Sequence, residues 1–489
     1  MMGEMKDLRR SRRRFLAGGA LTLGAVLVSA CSQQAASSPT AAPAAQPTAA
    51  APAAPTTAKP AGQPTTAAAP TAAASTAAAP TTAPTVAAAA APAGASGTIQ
   101  FLNIGAIQQT VALFNKTVIP DFQKQNPKIT VQMQQIDWAP SFQKISTAVA
   151  AGTAPDVFVM GGIFTDPLAS KGAMLQIDDY LAKWDGTKDV YPNLWSDSKY
   201  QGKTYAVPMN VEPQTIVYRS DFYQAAGLKA PETWDDLKAA ATKLAKKSGS
   251  VVQVEGMDWN LTANVSAQQS FINLLYQAGG DYFDANGKPS FASDAGHKAL
   301  TYMVSFYQNG LSATSFVRPG AGADFATTGK SATELVLNQD VAADKADSPS
   351  TYNNLAATLP LKMDANSQRS GLNYINKLGI YAKSKAPEAA WAWLSYTMSP
   401  PVLGPWNETL LNFPSRKTVA DAEKFIQDDA RLKVFSDAIQ YTKPQSQHPA
   451  MFQIIKILND NVLNALYLRA FVDSVLKQMD SQVAAAIKG

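Results

Sequence analysis

Between Gly202 and Asp221 the chain reads GKTYAVPMNVEPQTIVYRSD, and this stretch restricts the fold more than any other. Lys203 to Val207 carries the β-branched and aromatic residues of a strand, and Thr215 to Tyr218 does so again. Pro208 offers no amide to a ladder and predicts a break between them. Ser220-Asp221 supplies a hydroxyl and a carboxylate suited to capping the first amides of a helix. Two strands in tandem with no return turn describe a chain that leaves one sheet and enters another. Met209 to Gln214 is therefore expected to be a hinge between two lobes.

The segments before the hinge alternate in type. Thr98 to Asn103 reads as a strand, and Ile107 to Gln125 as a helix with Val111, Phe114, Val118 and Phe122 on one face. A strand over Lys128 to Gln134, a helix over Pro140 to Ala151 and a strand over Asp156 to Met160 follow. This order is the signature of an α/β domain with a mostly parallel sheet. Ligands in such sheets sit at the carboxyl ends of the strands. The candidates there are Asn103-Ile104-Gly105, Asp137-Trp138 and Gly161-Gly162.

Beyond the hinge, helices dominate. Thr233, with Asp236 three residues on, forms a capping-box pattern ahead of Trp234, Leu237, Ala241 and Leu244. Helices are expected over Ser266 to Ala278, after Ser293, and from Pro387 to a stop at Pro400-Pro401. Leu378 to Ala382 reads as a strand, and residues 420–487 read as helical to the end.

Residues 1–34 read as a processing signal. Ser11-Arg12-Arg13-Arg14-Phe15-Leu16 matches the twin-arginine pattern, and Ala17 to Val28 is apolar but short for a bilayer span. Val28-Ser29-Ala30-Cys31 resembles a lipobox, with lipidation and cleavage at Cys31. Cys31 is the sole cysteine, so disulfides and thiol nucleophiles are excluded. Residues 35–97 are Ala, Pro and Thr rich, with Lys59 their one charge, and read as a flexible linker. The leader's basic residues and Lys59 account for the net charge of +5. A nearly neutral remainder argues against a nucleic-acid partner.

Several stretches resemble the solute-binding proteins of ABC importers, in the extracellular family that includes maltose-binding protein. They are GTAPDVFV at 152–159, the hinge sequence through Leu228, PETWDDL at 231–237, GIYAKSKAPEAAWAWLSY at 379–396 and FPSRKTV at 413–419. Their order along 98–489 is that of the family. One departure is Thr333, which stands where the family usually has Met. The resemblance implies a two-lobe periplasmic-binding-protein-like fold (type II), with mixed sheets flanked by helices and joined by hinge crossings. It assigns residues 98–208 with 356–400 to one lobe and 209–355 with 401–489 to the other. It further implies delivery of a solute to ABC permease subunits, and with the lipobox the expectation is a monomer outside the cytoplasm, held to the membrane by a lipid on Cys31.

A carbohydrate site needs aromatic platforms and polar groups in a cleft. Trp138, Trp259 and Trp406 fall in predicted loops beside polar residues and are candidate platforms, whereas Trp234, Trp391 and Trp393 fall in helices and read as core. The resemblance supports solute contact by Glu212, with bracing of the crossing as the other reading of a hinge carboxylate. Asn210 stands beside it. Asp137 would pair hydroxyls or cap a helix. Gly161 and Gly162 would admit close backbone approach or simply turn. Phe452 matches a place where the family often has a stacking aromatic, and equally suits a helix-start core residue.

Enzyme classes find little support. His297 and His448 are far apart, no pair has metal-ligand spacing, and neither a G-x-S-x-G elbow nor a P-loop occurs. Asp178-Asp179 and Asp235-Asp236 adjoin predicted helix starts. No cofactor is expected. The other readings are a polyamine, iron or phosphate-ester binder, a structural surface lipoprotein, and a glycosidase with unpatterned acids.

Overall fold

The computed structural model describes residues 94–259, 266–314 and 328–488, with positions 92 and 261. The leader, Cys31 and most of the Ala/Pro/Thr segment lie outside the described residues. Nine strands share one sheet: β1 (Gly97–Ile104), β2 (Ile129–Ile136), β3 (Val157–Met160), β4 (Ala206–Arg219), β5 (Thr333–Leu337), β6 (Leu355–Ala357), β7 (Gly371–Ile380), β8 (Phe413–Pro414) and β9 (Thr442–Lys443). The order is β6-β4-β7-β3-β1-β2, with β5 and β8 also paired to β4 and β9 to β7. β1 runs parallel to β2 and β3, as the alternation of elements predicted. β7 runs antiparallel to both β3 and β4 and joins the parallel portion to the hinge strand.

The expected strand, break and strand is a single fourteen-residue strand, β4. Pro208 does not end it, because the ladder is bulged at that point. Asn376 pairs with Asn210 and Lys377 with Pro208, which leaves Met209 as the extra residue. Neighbouring polar groups take up the freed carbonyls. Ser415 donates its backbone N–H to the Met209 carbonyl at 3.1 Å and its hydroxyl to the Pro208 carbonyl at 2.6 Å. Further along, β4 changes partners and pairs with β5 from Gln214 to Tyr218. Thr333, the departure noted above, is buried there and shares a 2.8 Å hydrogen bond with the Tyr223 hydroxyl.

Among the described residues apolar packing forms two clusters. The first includes Ile99, Phe101, Phe114, Phe122, Phe158, Trp393 and Trp406. The second includes Trp234, Leu237, Trp259, Phe271, Leu300, Leu458 and Leu476. The capping box forms as expected: Thr233 Oγ1 accepts from the Asp236 amide, and Asp236 accepts from the Thr233 amide.

The two clusters do not follow the expected lobe segments residue for residue. Val402, Leu403, Phe413, Val419, Ile426, Leu432 and Phe435 belong to the first cluster, not the second. The reason is local. Pro400 stops one helix, Pro387–Thr397, but sits in the first turn of another, Pro400–Leu410, where its missing amide costs nothing. That second helix lays Trp406 against Phe114 at 4.8 Å and Phe101 at 6.3 Å. Val341, Tyr352 and Leu355 also join the first cluster, while Leu361 and Leu372 join the second. Residues 420–487 are not helical throughout. Ala430–Ala438, Met451–Leu466 and Val472–Ala486 are helices, with β9 and a non-helical stretch that ends in a turn at 449–450 between the first two.

Trp406 is fully buried, so Trp406→Ala removes both its transfer free energy and its filled volume. The expected cost is about 3–5 kcal/mol, read as a lower urea midpoint.

Candidate functional site

The carboxyl ends of β1, β2 and β3 converge as expected. Trp138 is not in a loop but opens the helix Trp138–Ala150, directly after β2. Its indole lies over Gly105, where φ is +67° and a Cβ would stand 2.0 Å from Nε1. It also reaches Gly161, whose Cβ would lie 3.7 Å from Cζ3. The glycines let the ring lie against backbone on one side, and Trp138 stays 42% exposed. An exposed tryptophan held by backbone at strand ends offers a fixed plate for a ligand's apolar face. Asp137 precedes it at the N-cap position, exposed and making no side-chain cap. Its carboxylate is thus open to solvent beside the plate.

Glu212 and Asn210 lie at the middle of β4, both buried. Asn376 Nδ2 donates to Glu212 Oε1 at 2.6 Å, and Asn412 Nδ2 donates to the same oxygen at 2.9 Å. The carboxylate therefore braces β4 to β7 and to the residue preceding β8. Burial pushes its pKa up to about 7, with Asn376 opposing, Asp340 adding and Asn412 opposing. The Asn376 amide donates to Asn210 Oδ1 at 3.3 Å, while Asn210 Nδ2 and Asn103 Nδ2 are buried without a protein partner.

Gly162 has a different neighbour from the one expected. A Cβ there would stand 2.8 Å from Asp197 Oδ2, so the glycine makes room for a buried carboxylate. Lys377, fully buried on β7, donates from Nζ to the Gly162 carbonyl and to Thr165 Oγ1, each at 2.6 Å, and to Asp197 Oδ2 at 3.0 Å. Burial raises Asp197 to about 6 against the pull of Lys377, and raises Asp166 to about 6 as well. Sequence reading missed Lys377 because its strand was started at Leu378. The signal was a lone lysine between Ile375 and Leu378, in a stretch otherwise apolar or amide-bearing.

Two candidate platforms are core residues. Trp259 is 1% exposed, with its ring 5.1 Å from Phe306 and edge-on to it. Trp406 sits inside a helix, not a loop, and is covered on the side of β1. Both were placed by polar sequence neighbours, but the packing partners are distant in the chain. Phe452, in the first turn of Met451–Leu466, is half-buried and stacked on Phe142 at 3.7 Å, with Phe164 at 5.5 Å. Among the described residues no group of three or more His, Cys, Asp or Glu could hold a metal ion.

Known proteins share this fold. A protein of Brucella abortus (strain 2308) named as a binding protein is 22% identical over 400 residues, covering 78% of this chain and 94% of its own. The sugar-binding protein MalE from Xanthomonas citri superposes with a TM-score of 0.70 at 21% identity, over 80% of this chain and 98% of that one. The GacH receptor of Streptomyces glaucescens, whose structures include complexes with acarbose, superposes with a TM-score of 0.67 at 22% identity, over 80% and 99%. These likenesses establish a two-lobe periplasmic-binding-protein-like fold. Residues 106–402 match the family described as bacterial extracellular solute-binding protein, and the chain belongs to that family.

Proposed function

We propose that this protein is a lipid-anchored extracytoplasmic receptor that captures a carbohydrate between its lobes and delivers it to an ABC permease. The observation that carries the reading is the Trp138 indole, exposed on one side and held against Gly105 and Gly161 on the other. A pyranose ring presents C–H groups on its faces and hydroxyls at its rim. The plate suits the faces, and Asp137 beside it suits the rim. Solved neighbours include a sugar-binding protein and proteins studied with acarbose and mannotriose, which supports the same class. In this reading no bond is made or broken. Solute contacts from both lobes favour the closed form, and that differential contact drives closure.

The hinge carboxylate plays a bracing part in this account, because both carboxamides occupy Oε1. Its folded pKa lies above the value of about 4.5 expected when unfolded. Its contribution to stability is thus full below about pH 4.5 and is lost as pH rises through about 7. Glu212→Gln imitates the protonated form. The melting point of this variant relative to wild type is expected to rise between pH 4.5 and 8, in a thermal melt series. A flat difference would reject the raised pKa of Glu212.

The class of solute is tested by thermal shift of the full-length protein against mono- and oligosaccharides, polyamines, iron and organophosphates. A saccharide at a hundred times its Kd adds about 2.7 kcal/mol and raises the midpoint. A response only to another class would discard the carbohydrate. Trp138→Ala is expected to weaken saccharide binding roughly tenfold by calorimetry, the loss of one stacking contact of about 1.5 kcal/mol. Its melting point should hold, since the side chain is largely outside the core. For the anchor, Cys31→Ala should move the protein from the membrane fraction to the soluble one. Continued sedimentation with membranes would reject lipidation.

A further inference from the structure

The segment between β9 and the helix Met451–Leu466 passes from one apolar cluster to the other, since Ile439 packs in the first and Met451 in the second. On the second side it is tied at several points. Tyr276 donates its hydroxyl to the Pro444 carbonyl at 2.9 Å, Gln445 Nε2 donates to the Tyr282 hydroxyl at 2.9 Å, and Ser446 donates to Asp281 at 2.7 Å. On the first side the polar tie comes from Gln447, while the Phe452 ring just beyond the segment stacks on Phe142. Gln447 Nε2 donates to Asp197 Oδ1, and Gln447 Oε1 is buried without a protein partner. Asp197 is itself immobilised, because its other carboxylate oxygen and its carbonyl both accept from Lys377 Nζ. The same ammonium holds the Gly162 carbonyl, one residue from the glycine under Trp138.

The geometry points to Asp197 as a positioning residue. Held by Lys377, it is the polar point at which the crossing segment is fastened to the first lobe, and through Gly162 it links lobe closure to the turn beneath the Trp138 plate. This rests on the solute-binding reading above, to which it adds a named coupling point. A buried ion pair is an economical anchor for such a task. Its geometry is fixed by the several donors and acceptors that must all be satisfied, so a partner docking on it meets a preset acceptor. The charged and titratable groups facing the site are Lys377 on β7 and Asp166 in the short helix Thr165–Ala169.

The test is Gln447→Glu in the full-length chain carrying Cys31→Ser. Cysteines introduced at the exposed positions Lys171 and Lys298 then carry spin labels, and the label-to-label distance distribution is measured at pH 7.5 and 5.5 against wild type at the same pH. At pH 7.5 the new carboxylate faces Asp197 and repels it, so the distribution should move several ångströms toward longer distances. At pH 5.5 the two carboxyls share a proton, and the wild-type distribution should return. Gln447→Ala should lengthen the distance at both pH values without recovery, and it serves if the glutamate variant fails to fold. Saccharide affinity should fall with the closed fraction in each case. An unchanged distance in both variants at pH 7.5, or a lengthening in Gln447→Glu that persists at pH 5.5, overturns the proposal. The two readings fail separately. If no saccharide binds yet the distances follow this pattern, the coupling point stands and the solute class falls. If saccharides bind all variants equally and the distances do not move, the reverse holds.

Discussion

The ladder between β4 and β7 is the interaction on which the rest of the structure depends. One strand, Ala206–Arg219, meets β7 along its first half and β5 along its second, so both lobes are built on the same backbone. A strand in that position must be satisfied on both edges along almost its whole length. Two prolines make this harder, and the molecule answers with a bulge at Met209 and with Ser415 donating twice into the irregular stretch. Glu212 and its two carboxamides lie just beyond. The crossing is therefore held by side chains where the backbone alone does not suffice, and its conformation depends on residues as far along the chain as Asn412.

A second consequence is that charge is buried next to the place where the lobes must move. Taking Lys377 and Asp197 out of water is costly unless each is fully paired, and here the lysine has an acceptor for each of its protons. The arrangement adds little net stability and a good deal of definition. It fixes the orientation of the turn after β3, the position of the segment 192–198 that carries Asp197, and the acceptor presented to Gln447.

Much of the fold was legible in the chain. The alternation through Met160 gave the parallel portion of the sheet, and Thr233 with Asp236 marked its helix start because a capping box is a local device. The strand ends bearing Gly105, Trp138 and Gly161 came together because topology alone brings parallel strand ends to one edge. What escaped was decided by distant partners. Trp259 and Trp406 stand beside polar residues in sequence, but Phe306 and Phe114 cover them in space. Lys377 looked like a residue between elements, because nothing near it in the sequence announces Asp197. Pro208 was read by its own chemistry, and the bulge that accommodates it is formed jointly with Asn376 and Lys377. The helix Pro400–Leu410 escaped for a similar reason: a proline that ends one helix can begin the next.

The seating of Trp138 has a practical corollary. Because Gly105 has a positive φ and the indole occupies the space where its Cβ would be, no side chain can be added there while the ring keeps its place. The two positions form one structural unit, although they stand 33 positions apart in the chain. Altering the plate by swapping the tryptophan for a smaller ring would open a hollow above the glycine. Enlarging the glycine would lift or tilt the indole. A designer wishing to retune what rests on this plate would change both positions together, treating the backbone beneath the ring as part of the binding surface.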